Sequence, residues 1–145
     1  MLVFFDTSVL VASASDAHPQ FAQASAAAAR VAAGKDKGFI GQHSIAELYA
    51  ALTRLPVVPR IHPLEASRII RESILQNFTV VAADKGDYLQ ALERASEAGW
   101  PGAKIYDALL LRCAEKSSAQ RIYTFNVRDF LQMAPARLHP MICAP

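Results

Sequence analysis

The chain has 145 residues, a length typical of one domain that buries its own hydrophobic core. Hydrophobic residues make up 52% of the chain and charged residues 19%, a composition that excludes intrinsic disorder. The net charge of +2 permits a polyanionic partner without requiring one. Two cysteines, Cys113 and Cys143, form neither a CxxC metal motif nor a disulfide framework. We expect a single domain over residues 1–145 in a reducing compartment.

We expect no targeting segment and no membrane-spanning segment. The apolar run Leu2–Phe5 is short and ends at the acid Asp6, unlike the apolar region of a signal peptide. The Ala-rich stretch "ASAAAARVAA" is too short and too weakly apolar to cross a bilayer. The sequence therefore predicts a cytoplasmic protein that does not contact membranes.

Strands and helices are predicted to alternate along the chain. The predicted strands are Leu2–Phe5, Gly38–Gly41, Thr79–Ala82, Arg121–Thr124 and a last one near Met141–Ile142. The predicted helices are a short one from about Ser8, then Gln20–Ala33, Ser44–Arg54, Leu64–Asn77, Asp84 to Gly99, Tyr106–Lys116 and Asn126–Gln132. This alternation indicates βαβ units, and so an α/β fold with a mostly parallel central sheet flanked by helices on both faces.

Four acids fall where the predicted strands end or where the next helices begin. Asp6 ends the first strand, and Glu47 lies in the first turn after the second strand. Asp107 opens a helix, and Asp129 follows the fourth strand together with Asn126. Because the carboxyl ends of parallel strands meet at one edge of a sheet, these side chains can converge there. Crowded carboxylates need a cation to stay ionised, and Mg²⁺ prefers carboxylate oxygens, so the pattern predicts a metal site.

Each acid also has a purely structural interpretation. Glu47 could complete a capping box with Ser44 as the N-cap, and Asp6 could cap the short helix that follows it. Asp107 could complement the positive end of its helix, and Asp129 could be a surface acid in a turn. These alternatives stay open for each residue alone. The occurrence of all four acids in this pattern favours the shared site.

The stretches that carry these acids are "VFFDTSVLVA", "SIAELYAAL", "IYDALLLRCA" and "IYTFNVRDF". They resemble the four acidic motifs of the PIN domain, and their order and spacing resemble those of small VapC-type toxins from bacterial toxin–antitoxin pairs. The resemblance implies that the catalytic acids are Asp6, Glu47, Asp107 and Asp129. Many relatives carry an acid at the position of Asn126, so the division of work between Asn126 and Asp129 stays open. Three hydroxyl residues match positions that line such sites: Thr7, Ser8 and Thr124.

The resemblance also implies an activity and its partners. The protein would be a Mg²⁺-dependent endoribonuclease, with Mn²⁺ as a plausible substitute, that hydrolyses RNA phosphodiesters with a metal-activated water. Asp6 and Asp107 are the first candidates for direct ligands, while Glu47 and Asp129 would bind through water or hold a second ion. We expect His43 to lie just outside the predicted helix Ser44–Arg54, as a surface residue. The family also implies a homodimer and a cognate antitoxin whose C-terminal arm covers the acidic pocket.

Basic residues close in sequence to the acids are candidates for contacts with RNA phosphates. They are Lys104, Arg112, Lys116 and Arg128. The two that lie within the helix after Asp107 could equally form a solvated face. Tyr106 and Trp100 could stack on a base, although packing in the core or an interface is the simpler interpretation.

Two other classes of function stay open. One is a PIN-fold module that binds RNA or a protein without catalysis, although all four acidic positions are filled. The other is a metal-dependent phosphatase with an aspartate nucleophile after its first strand. Such enzymes place a second acid two residues later, where this chain has Ser8.

Overall fold

The computed structural model describes residues 1–145, and five parallel strands form one sheet at its centre. The strands are β1 (Leu2–Phe5), β2 (Lys37–Gly41), β3 (Phe78–Val81), β4 (Arg121–Tyr123) and β5 (Ile142–Cys143). Their order across the sheet is β3-β2-β1-β4-β5. In the central strand, Val3 pairs with Gly38 of β2 on one side and with Arg121 of β4 on the other. The predicted α/β fold with a mostly parallel sheet is confirmed.

Helices connect every pair of consecutive strands. They are α1 (Thr7–Ser13), α2 (Phe21–Ala32), α3 (His43–Arg54), α4 (Pro63–Arg68), α5 (Lys85–Ala98), α6 (Lys104–Lys116) and α7 (Val127–Met133). A π-helical segment, Ile69–Leu75, continues α4, and a 3₁₀ segment, Ala136–Met141, precedes β5. No helix is long and apolar enough to span a membrane.

The hydrophobic core lies on both faces of the sheet. Along β1, Val3 and Phe5 pack on one face with α1 to α4, whereas Phe4 packs on the other with α5, α6 and α7. This division follows from the alternation of side chains along a strand. All three of these β1 side chains are buried, which explains why the strand is a continuous apolar run.

The order of the strands reverses at β1. The chain runs from β1 outward through β2 to β3, then crosses back to add β4 and β5 on the other side of β1. At such a reversal the connections leave toward opposite faces, which opens a crevice beyond the carboxyl ends of the two central strands. Asp6 follows β1 and Thr124 follows β4, so the topology places both residues at this crevice.

Two details of the fold differ from the predicted elements. The predicted helix over residues 64–77 is instead α4 followed by the π-helical segment, in which Ile70 and Ile74 remain buried against the core. Helix α3 begins at His43, with Gln42 as its N-cap, one residue before the predicted start.

At Gly41, a Cβ atom would lie 2.7 Å from the Leu110 side chain, so glycine is what allows α6 to approach β2 this closely.

Candidate active site

Asp6 is the most deeply buried acid in the crevice, with 2% of its surface exposed. Its Oδ2 atom accepts hydrogen bonds from the hydroxyls of Ser8 and Thr124, the latter at 2.8 Å. Burial raises the pKa of Asp6, and these two hydrogen bonds oppose that rise. Asp6 occupies the N-cap position of α1 without a regular side-chain cap, and the backbone N–H groups of Ser8 and Thr7 also lower its pKa.

Glu47 reaches the same crevice from α3. Thr7 Oγ1 lies 2.9 Å from Ser44 Oγ and 3.4 Å from Glu47 Oε1, which joins the start of α1 to α3. Desolvation and the charges of Asp6 and Asp107 raise the pKa of Glu47 to about 7. Ser44 is buried inside the helix and is not its N-cap. The capping box proposed for Ser44 and Glu47 is therefore absent.

Asp107 lies in the first turn of α6 and Asp129 in the first turn of α7. Desolvation and the charges of Asp6 and Asp129 raise the pKa of Asp107 to about 6, and the charge of Lys104 opposes the rise. These electrostatic effects connect Asp6, Glu47, Asp107 and Asp129. The structure thus places the four acids that were selected from the sequence near enough for their charges to interact. Asn126 is exposed at the N-cap of α7, and its backbone N–H donates to Thr124 Oγ1 at 3.0 Å.

The family model for the PIN domain matches residues 3–134, which is most of the chain and all four acids. The chain belongs to the PIN domain family. No curated protein sequence gives a significant match.

Solved structures with the same fold include two from bacterial toxin–antitoxin systems. One is VapC20 of Mycobacterium tuberculosis, described as a sarcin–ricin loop cleaving toxin, at 20% identity and a TM-score of 0.65. That match covers 86% of this chain and 89% of the other. The second is VapBC2 of Rickettsia felis bound to a promoter DNA fragment, at 15% identity and a TM-score of 0.62. It covers 93% of this chain and 94% of the other, so the similarity extends over the whole PIN domain.

The donor set of this PIN domain fits a hard divalent cation. The side chains around the crevice offer carboxylate and hydroxyl oxygens, the ligand type that Mg²⁺ prefers. No three His, Cys, Asp or Glu side chains converge closely enough to enclose an ion. Mg²⁺ commonly binds through one or two carboxylates and keeps several waters, so an open arrangement of this kind suits it.

Two of the basic residues selected from the sequence do not reach the acids. Lys116 lies nine residues after Asp107, which places it about 180° around the helix. There Arg112 and Lys116 both form ion pairs with Asp87 of α5, the former at 2.9 Å. These pairs join α5 to α6, and a role for either residue in binding RNA would require breaking them.

The other two basic residues begin the helices that carry Asp107 and Asp129. Lys104 begins α6 and is close enough to Asp107 for its charge to lower the pKa of that carboxyl. Arg128 is exposed in the first turn of α7, next to Asp129. Their contact with RNA stays a prediction.

The sequence analysis missed an aromatic contact beside the acids. His43, the first residue of α3, stacks on Tyr106 of α6 with ring centroids 4.6 Å apart and planes inclined by 22°. The expectation that His43 lies outside the helix is wrong. Because His43 is four residues before Glu47, the two share a helix face, and this spacing was the available signal. Ser44 gave no comparable signal, since its burial depends on how α1 packs on α3.

Proposed function

We propose that this PIN domain is a divalent-metal-dependent endoribonuclease. The observation that carries the proposal is the crowding of acids in the crevice. Desolvation and the charges of Asp6 and Asp107 raise the pKa of Glu47, and desolvation and the charges of Asp6 and Asp129 raise the pKa of Asp107. Such an arrangement is costly in a metal-free protein, and a bound cation removes that cost. Oxygen ligands at a crevice beside a topological switch point suit phosphoryl transfer to water.

Asp6 and Asp107 would hold Mg²⁺, or Mn²⁺ in its place, with Asp129 or Asn126 completing the site through water. When bound, the ion supplies positive charge for the phosphate group and lowers the pKa of water. Ser8 and Thr124 fix the orientation of the Asp6 carboxylate through their hydrogen bonds. Both residues would therefore position Asp6 without touching the substrate.

Glu47 would act as the proton acceptor in hydrolysis. The bound cation would lower the pKa of Glu47 and keep its carboxylate ionised at neutral pH, which is the form that accepts a proton. The attacking water would form a new P–O bond and transfer its proton to Glu47, while the bond from phosphorus to the ribose oxygen breaks. The departing oxygen would take its proton from solvent.

We further propose that the enzyme is the toxin of a toxin–antitoxin pair and works as a homodimer. The supporting observation is the fold shared with VapC20 and VapBC2 over most of each chain. The partner would be a cognate antitoxin protein that covers the acidic crevice. Growth arrest on induced expression, absent in Asp6→Asn, tests the toxin role, and light scattering tests the dimer.

Cleavage of single-stranded RNA with Mg²⁺ and with EDTA tests the enzymatic proposal. We expect the wild type to cleave RNA only with metal and Asp6→Asn to be inactive in both. Hydrolysis of a small phosphate ester, measured in parallel, would identify a phosphatase. Such enzymes need a second acid two residues after the first, whereas this chain has Ser8 there, and the Ser8 hydroxyl donates a hydrogen bond to Asp6. Metal-independent cleavage, or cleavage by Asp6→Asn, would contradict the proposal.

A further inference from the structure

An aromatic pair of His43 and Tyr106 stands beside the acids. The two rings are stacked in nearly parallel planes, and they belong to α3 and α6, the helices that also carry Glu47 and Asp107. Tyr106 directly precedes Asp107 in the chain, and His43 lies one helical turn before Glu47. The stack therefore bridges the two helices next to the proposed reaction centre.

Tyr106 stays partly exposed although it is stacked. Its ring packs on His43, and 41% of the residue is accessible to solvent. The partner ring restricts the rotation of Tyr106 before any ligand arrives, so little conformational entropy would be lost when another ring packs on its accessible part. The pair is a preformed surface for a planar group.

The observations favour a nucleobase as that planar group. Bases of single-stranded RNA stack on exposed aromatic side chains with little dependence on sequence, because every base has a flat face. Lys104, half-buried about one turn before Asp107 along α6, adds a positive charge on the side of the acids, as its effect on the pKa of Asp107 indicates. A base on one side of a phosphate could thus stack while that phosphate lies at the acids.

We infer that the His43–Tyr106 pair is a stacking platform that positions an unpaired RNA base next to the scissile phosphate. This inference rests on the proposed ribonuclease function and assigns the residues that would bind one base of the substrate. Tyr106 is the residue that touches the base, and His43 supports it from behind.

Steady-state cleavage of single-stranded RNA by Tyr106→Ala and Tyr106→Phe tests the platform. Removal of a base-stacking ring weakens RNA binding by about 5- to 150-fold, so KM for Tyr106→Ala should rise within this range. Tyr106→Phe keeps the ring and should retain the KM of the wild type. Melting temperatures of both variants show whether a change reflects folding, since loss of the contact between α3 and α6 would affect stability alone.

A binding experiment locates the base and works without cleavage. In an Asp6→Asn background with Mg²⁺, fluorescence anisotropy measures the affinity for an RNA oligonucleotide and for versions with one abasic nucleotide. We expect one abasic position to weaken binding when Tyr106 is present and to have little further effect in Tyr106→Ala. Such non-additivity at a single position identifies a direct contact between that base and the ring.

The outcomes separate this inference from the proposed function. If the wild type cleaves RNA and Tyr106→Ala has the same KM and RNA affinity, the platform is wrong and the ribonuclease proposal stands. If the wild type binds RNA through Tyr106 but never cleaves it, the ribonuclease proposal is wrong and the platform stands. If Tyr106→Ala lowers the melting temperature and leaves the RNA affinity unchanged, the stack only stabilises the fold. If it changes neither value, the ring is available to bind a protein partner. Either result overturns the inference.

Discussion

Two clusters of buried acids in this molecule differ in what surrounds them. Asp87 has 4% of its side chain exposed and is paired with Arg112 and Lys116, which hold its pKa well below the usual range. Asp6 is as little exposed, but its partners are neutral hydroxyl and backbone N–H groups, and burial raises its pKa. Desolvation by burial has the largest effect on the pKa of Asp6, whereas the hydrogen bond from Lys116 has the largest effect on that of Asp87, so the depth of burial and the presence of a cation both contribute to the opposite shifts.

A third acid supports this interpretation. Asp36, also with 4% of its side chain exposed, is paired with Arg30 at 2.6 Å and with the N-terminal amine at 2.8 Å. Hydrogen bonds from Arg30 and the amine lower its pKa to about 2. The chain therefore supplies internal cations to its structural acids and leaves the acids of the crevice without such a pair. A site that lacks an internal cation is suited to bind one from solution.

The largest expected effect is on catalysis in Asp107→Asn. The substitution keeps the shape of the side chain and removes the charge that a hard cation needs, so RNA cleavage should fall by orders of magnitude. Stability without metal should be unchanged or higher, because one of several crowded charges is gone. Cleavage kinetics together with urea denaturation measure both effects. Cleavage at the wild-type rate would remove Asp107 from the site.

Asp87→Asn is the matched control at the structural cluster. The change leaves Arg112 and Lys116 without their partner, and since about a third of each side chain is exposed, we expect a loss of about 1–3 kcal/mol in the free energy of unfolding. Cleavage per folded molecule should be retained. Equal stability of Asp87→Asn and the wild type would mean that the ion pairs of Asp87 with Arg112 and Lys116 do not stabilise the fold.

The two clusters also predict opposite dependences of stability on pH. The pKa of Glu47 is about 7 in the folded state and 4.5 ordinarily, so between these values the folded state binds more protons. Stability in EDTA should therefore fall as the pH rises from about 5 to about 7, by about 1–2 kcal/mol after allowance for solvent screening. Asp36 acts in the opposite sense, and its contribution is lost as the pH falls from about 4 to about 2.

Glu47→Gln should reduce this slope between about pH 5 and about pH 7 without abolishing it, because Asp107, with a pKa of about 6, binds protons in the same range. Urea denaturation at a series of pH values, with and without Mg²⁺, measures the effect. Saturating Mg²⁺ should also reduce the slope, because the metal-bound state keeps its carboxylates ionised. A slope in Glu47→Gln as steep as that of the wild type would assign the proton uptake to other groups.

The smallest expected effect is on the free energy of unfolding when a hydroxyl partner of Asp6 is removed. Thr124→Val removes the hydrogen bond to Asp6 and the acceptor for the backbone N–H of Asn126. We expect a loss of about 0.5–1.5 kcal/mol, with Thr124→Ser close to the wild type. Chemical denaturation of the two variants compares them directly. Identical stability in the valine and serine variants would show that the hydroxyl contributes nothing.

The position of the acids could be predicted from the sequence because it depends on local patterns. A buried run such as Leu2–Phe5 identifies a strand, and an acid directly after it must lie at the edge of a parallel sheet. Glu47 and Asp107 followed in the same way from helix starts after strands or loops. The family motifs then fixed which acids belong together, and the PIN domain match over residues 3–134 confirmed the family.

Contacts between helices could not be predicted in this way. The direction of Arg112 and Lys116 depends on how α5 packs against α6, and the burial of Ser44 depends on how α1 packs against α3. The stacking of His43 on Tyr106 joins residues that are far apart in the chain. Each of these features is set by tertiary packing, which the periodicity of a single segment does not reveal.

If the acids of the crevice share a divalent cation, the titration of Glu47 must depend on that cation. NMR of the side-chain carboxyl carbons can follow this residue in a protein of 15.8 kDa, first in EDTA and then with saturating Mg²⁺. We expect the pKa of Glu47 to be about 7 without metal and to fall toward or below the ordinary 4.5 with Mg²⁺. An identical titration of Glu47 in both conditions would contradict a shared cation.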